Sequence, residues 1–280
     1  MSMVVNTNVM SLIAQTNLNN TTSKLNNAIT QLSTGLRINS AMDDPAGLAI
    51  GTAMQSQVNG MNQGIINANQ AVSMAQVADG AMGSVSNMLQ QMRTLAVEAA
   101  NGTNNSSADA NLNSEYQQLA SQITNTLANT KFNGTQVFSQ GGTVTYQVGA
   151  NTSDAVGVAL GSAGSTLAAA TTLGSSALGS IGTQSGATSA IDAIDAALST
   201  VNSARAENGA YEIQFQQIVS SQQINSQNTA AAESQIMDTN YAQATSALTQ
   251  AQIVQQAGTA MLSQANMQPQ SVLTLLQKLG

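Results

Sequence analysis

The chain has 280 residues, of which 42% are hydrophobic but only 2% aromatic, so Ala, Leu, Ile, Val and Met carry the burial; this suits helix seams and excludes a large aromatic-filled core. Only 7% of residues are charged, and the net charge of −7, with Lys24, Arg37, Arg93, Lys131, Arg205 and Lys278 scattered along the chain, argues against nucleic acid or an anionic membrane as partner, since both need a basic patch. Cys and His are absent, which removes disulfides, thiol nucleophiles, the commonest general base and the commonest metal ligand; no cofactor and no metal are expected.

The N-terminal twenty residues lack a positive n-region and a continuous apolar core, so they do not read as a cleaved secretory signal. No run reaches transmembrane length. Val5, Val9, Leu12, Ile13, Leu25, Ala28, Ile29, Leu32 and Leu36 give a helical stripe, with an interruption expected at Asn17–Ser23. An Asn/Thr-rich helix of this kind is marginal alone and needs a partner. Gly35 and Asn39 then loosen the helix. Asp43-Asp44-Pro45 could be an acid/base pair, but an Asp cap followed by Pro at the first helical position explains it better.

A heptad seam follows: Met54, Val58, Met61, Ile65, Ala68, Val72, Ala75, then, after one short step, Ala78, Met82, Val85, Leu89, Met92, Ala96 and Ala99. One helix over that span is roughly 70 Å long at about 1.5 Å per residue. It needs partners along its length. Asn101–Asn105 breaks it, and a third helix places Leu112, Tyr116, Leu119, Ile123 and Leu127 on one face. Asp109, Glu98 and Glu115 read as solvated helix charges. Lys131–Gly134 reads as a turn. Thr135–Phe138 and Thr143–Val148 alternate and are expected to pair as a hairpin around Gln140–Gly142, with Ala155–Leu160 as a possible third strand. Residues 161–186 are rich in Gly, Ser, Ala and Thr and read as an exposed flexible loop.

Helix is expected again from Ala187, with a seam of Ile191, Ile194, Leu198 and Val201, then Tyr211, Phe215, Ile218 and Val219, fading into a polar interface at Ser220–Thr229. Met237–Asn240 repeats the Asp-containing break near position 44. A last helix carries Tyr241, Ala244, Leu248, Ala251, Val254, Ala257 and Met261, is weakened at Gly258, and is followed by a final turn started by Pro269. The fold class is therefore mainly α: a long antiparallel helical bundle or coiled coil built from both chain ends, with a small β-hairpin region and a flexible central loop.

The segments Leu32–Ile50, Leu95–Asn105, Lys131–Gly134 and Gln250–Leu276 resemble bacterial flagellin, the filament subunit of the flagellum, over roughly residues 1–150 and 187–280. Met42 stands where that family usually has a basic residue, and residues 231–240 carry less charge than is usual. The resemblance implies three regions: a terminal coiled-coil filament core of residues 1–44 with 236–280; a helical-bundle domain of 45–160 with 187–235, including a β-hairpin at about 131–160; and the exposed loop 161–186. It implies a non-enzymatic structural protein, exported unfolded and without a cleaved signal peptide, that polymerises in the extracellular filament. Leu32, Leu36, Arg37, Ile38, Leu48, Ile50, Leu248, Ile253, Val254, Leu262, Val272, Leu275 and Leu276 are the implied assembly residues.

Implied partners are further copies of the chain, hook-associated junction and cap proteins, a flagellar secretion chaperone, and the host Toll-like receptor for flagellin. Gln91, Arg93, Leu95 and Glu115 are the candidate receptor contacts, with Gln91 replacing the Arg of responsive families. A junction protein of the hook–filament interface is the alternative reading. The zinc motif of the metallopeptidase inserted in some flagellins is impossible without His.

Overall fold

The computed structural model describes residues 7–138, 143–158 and 179–277. Five helices carry the fold: α1 (Val9–Thr34), α2 (Pro45–Ala99), α3 (Ser106–Asn129), α4 (Gln184–Met237) and α5 (Tyr241–Gln277). Four short strands form two antiparallel pairs, β1 (Lys131–Phe132) with β2 (Thr135–Gln136) and β3 (Val144–Gln147) with β4 (Ala155–Val158). The chain divides into two compact units, Met1–Gln55 with Thr229–Gly280, and Ser56–Asn228.

In the first unit α1 and α5 run antiparallel. Asn8 Nδ2 donates to the Ala265 carbonyl at one end of the pair, and Leu18 lies 3.4 Å from where a Cβ on Gly258 would stand. Asn8 caps α1 by accepting from the Ser11 N–H. Gly35, at φ +76°, closes α1 in the left-handed conformation. Beyond it Leu36 and Asp238 form an antiparallel bridge: the Arg37 N–H donates to the Met237 carbonyl (2.6 Å) and the Thr239 N–H to the Gly35 carbonyl (2.8 Å). Asp43 accepts from the Asn39 and Ser40 N–H groups, and Asp44 Oδ1 accepts from the Gly47 N–H, so the two carboxylates are turn and cap groups.

Several expectations are corrected here. α1 is not interrupted at Asn17–Ser23. The hydroxyls of Thr16, Thr21, Thr22 and Ser23 each fold back onto the carbonyl four residues earlier, so these residues satisfy themselves within the helix. α5 is likewise one helix through Gly258 and Pro269, with no separate final turn. A proline costs the helix one N–H donor and need not end it.

In the second unit α2 and α4 run antiparallel. Ser226 donates to Asn62 (3.0 Å), Asn208 to the Ala75 carbonyl (2.7 Å), and Arg205 and Arg93 reach Asp79 and Asp195. The α2 seam from Ala78 to Ala99 is buried as expected, whereas Met54, Ile65 and Val72 are half-buried. α4 starts at Gln184, and its buried face is Ala187, Ala190, Ile194, Ala197, Val201, Ala204, Asn208 and Phe215; Ile191 and Leu198 flank it half-buried. Asn105 caps α3, which closes the core with Tyr116, Ala120, Ile123 and Leu127. Asp109 is not simply solvated: its Oδ1 is buried without a hydrogen-bond partner.

The strand pairing also differs from expectation. Thr135–Gln136 pairs back on Lys131–Phe132 through Asn133 (φ +49°) and Gly134 (φ +82°), a two-residue turn that needs positive φ at both positions. β3 then pairs with β4, so the possible third strand is the true partner of Thr143–Val148. Residues 1–6, with the expected stripe position Val5, and residues 139–142, 159–178 and 278–280 lie outside the described residues. This takes in most of the expected loop 161–186, and its final residues, from Gln184, form the first turn of α4.

Candidate functional site

The terminal pair α1–α5 combines few buried side chains with many exposed apolar ones. Thr21 and Ala28 are the buried residues of α1, and Ala244 and Ala251 are buried on α5. Small residues at these positions let the two helices approach closely. Val9, Met10, Leu12, Ile13 and Ile29 on α1, and Ile253, Val254, Met261 and Met267 on α5, remain exposed. Isolated exposed apolar residues are ordinary, but runs of them along paired helices mark an interaction surface.

The ten sequence-expected assembly residues whose side chains are described fall into three groups. Ile38 is fully buried, its Cδ1 2.6 Å from where a Cβ on Gly47 would stand. Leu32, Leu36, Leu48, Leu248 and Leu262 are half-buried. Ile50, Ile253, Val254 and Arg37 are exposed, and Arg37 Nη2 donates to the Ile236 carbonyl (2.5 Å). The side chains of Val272, Leu275 and Leu276 lie outside the described residues. Sequence reasoning passed over Met10, Met267 and the capping Asn8. The signal for Asn8 was present, since Asn immediately precedes the first apolar residue of the helix.

Gln91, Arg93 and Leu95 stand on α2 and Glu115 on α3. Gln91, Arg93 and Glu115 are exposed, and Leu95 packs half-buried against the core. Arg93 grips Asp195 with two contacts, Nε to Oδ1 at 2.7 Å and Nη2 to Oδ2 at 3.2 Å. The hydrogen bonds from Arg93 hold the Asp195 carboxyl below the usual carboxylate range, and Asp195 in turn raises the Arg93 guanidinium. Arg205 is raised in the same way by Asp79. Asp43 is lowered by the backbone N–H groups of Asn39 and Ser40.

Among the described residues no cluster of three acidic side chains could hold a metal ion, and no helix is long and apolar enough to cross a membrane. Residues 5–143 match the bacterial flagellin N-terminal helical region and residues 191–276 the bacterial flagellin C-terminal helical region. A flagellin of Halalkalibacterium halodurans is 38% identical over 98% of this chain and 100% of its own length. A flagellin of Treponema pallidum is 33% identical with the same coverage. The crystal structure of Bacillus cereus flagellin superposes with a TM-score of 0.50 at 26% identity, covering 56% of this chain and 88% of that one. Two terminal helical regions matched in order, and relatives matched along their whole length, place the chain in the bacterial flagellin family as a structural subunit of the flagellar filament.

Proposed function

We propose that the subunit polymerises through the outward faces of α1 and α5, and that these two helices become fully ordered only when neighbouring subunits cover them. The observation that carries this reading is the row of exposed apolar side chains on both helices. Ordering backbone costs about 1–2 kcal/mol per residue, which few intramolecular contacts offset here. Each apolar side chain covered by a neighbour returns about 1.5–3 kcal/mol. A head-to-tail contact that does not close on itself yields a helical filament.

The finer partner assignments belong to the same reading. The unfolded chain leaves the cell by the flagellar type III apparatus without signal cleavage, and a secretion chaperone covers the apolar stretch from Leu248 before export. Junction and cap proteins bound the filament at its ends. A Toll-like receptor would meet Gln91, Leu95 and Glu115. Arg93 is already committed to Asp195, so it does not replace the donor that Gln91 lacks.

Seeded polymerisation tests the face directly. Leu12→Ser and Ile253→Ser change exposed residues and should leave monomer stability within about 0.5 kcal/mol. Each should slow elongation by roughly tenfold or more, because an apolar contact is lost at every subunit. Wild-type circular dichroism should gain helix on assembly. Elongation at the wild-type rate by both variants overturns the assignment of this face. A wild-type chain that binds seed ends without growth favours the junction-protein reading.

A further inference from the structure

Among the described residues every strongly exposed methionine lies in the first unit, where Met237 is buried and Met54 half-buried. Met10, Met42, Met261 and Met267 are 55%, 90%, 61% and 56% exposed, and all four belong to the first unit. Met61, Met74, Met82 and Met92 are buried in the second. Met74 is further engaged, its sulfur accepting from the Tyr146 hydroxyl at 2.7 Å. The chain has no Cys, so these exposed thioethers are its softest accessible nucleophiles. Three of them, Met10, Met261 and Met267, lie on α1 and α5 among the exposed apolar residues.

We propose that Met10, Met261 and Met267 form an oxidation-sensitive site at which a hydroperoxide bars the free subunit from polymerising. The inference rests on the polymerisation face proposed above. In the reaction the thioether sulfur attacks one peroxide oxygen. The O–O bond breaks and an S–O bond forms. Sulfur gives up two electrons, and hydrogen peroxide is reduced to water. The product is a polar, chiral sulfoxide where an apolar contact is required. Burying it in a neighbour's apolar face leaves an unsatisfied acceptor, which is costly. The core methionines are shielded, so the second unit keeps its packing. The lesion is reversible by methionine sulfoxide reductase.

The test uses the full chain, partly oxidised with hydrogen peroxide and offered to filament seeds. Peptide mass spectrometry then compares filaments with the unpolymerised fraction. Sulfoxide at Met10, Met261 and Met267 should be depleted from filaments by roughly fivefold or more. Met42, in the turn between α1 and α2, reports that the oxidant reached the chain. Treatment of the excluded fraction with reductase should restore its elongation. Equal sulfoxide in both fractions, or no recovery after the sulfoxides are reduced, overturns the inference. Untreated subunit that fails to elongate overturns the polymerisation face itself, which separates the two failures.

Discussion

Gly60 and Gly64, four residues apart on α2, let the turn after β3 lie directly on the helix backbone. A Cβ at Gly64 would collide with the Val148 carbonyl oxygen, and one at Gly60 would stand 2.7 Å from the Ala150 Cβ. Gly80 has nothing within 4 Å of the same position. Alanine should therefore act in opposite directions. Gly64→Ala should destabilise by about 1–3 kcal/mol through overpacking. Gly80→Ala should stabilise by up to about 1 kcal/mol through helix propensity. Urea melts of both variants check this, and shifts of the same sign would refute the packing argument. Tyr116 offers a second residue-scale test. Burial pushes its phenol up to about 12. Its raised value means that stability is intact below about pH 10, the unfolded pKa, and is lost as pH rises towards the folded one. Alkaline absorbance titration should show a phase near 12 that Tyr116→Phe removes.

At the scale of elements, the α2–α4 pair is fixed by two bidentate arginine–aspartate pairs and one buried amide. Asp195 is depressed, so its contribution is present above the ordinary carboxylate pKa and lost as pH falls through the folded value. Both partners are about half exposed, so the effect is small and screened by salt. Thermal melts between pH 5 and 2 should show a steeper acid limb for the wild type than for Asp195→Asn, most clearly at low ionic strength. Sequence alone made α2 legible because Met, Val, Ile and Leu recur at heptad spacing between its seam alanines, and Asp44-Pro45 announced its start. The α4 seam was read in its large members, since Ile194, Val201 and Phe215 are in the core and Ile191, Leu198, Tyr211, Ile218 and Val219 pack against it; Ala187, Ala190, Ala197 and Ala204 were missed because they carry little hydrophobic contrast against a Ser- and Ala-rich background. α1 was misread because hydroxyl-to-carbonyl bonds four residues back leave no trace in composition. The strand pairing was ambiguous because Thr135–Phe138 alternates acceptably against either neighbour; the Asn133-Gly134 turn decides it. Of the proposed assembly face, the apolar residues on α1 and α5 were readable. Which of its members stay uncovered was not, since that depends on which small residues the helices turn towards each other.

For the whole molecule, the contrast between the units is one of core. The contiguous buried cluster runs from Ala68 to Phe215, entirely within the second unit, whereas among the described residues the first unit buries few side chains, chiefly Thr21, Ala28, Ile38, Met237, Ala244 and Ala251. Local stability follows buried apolar contact, so the first unit should open first. Trypsin has only six basic residues to choose from, which makes the order measurable. In the monomer, cleavage after Lys24 and Arg37 should precede cleavage after Arg93 and Arg205. Early cuts at Arg93 or Arg205 would contradict this ordering. The antiparallel pairing of α1 with α5 also carries a timetable. Asn8 and Ala265 are 257 positions apart in the chain. At about 5–20 residues per second, α1 leaves the ribosome roughly ten seconds or more before its partner has been synthesised. Long-range closure is also the slow part of folding. The first helix made is thus among the last to find its place, and for that interval the two ends of the chain remain separate threads.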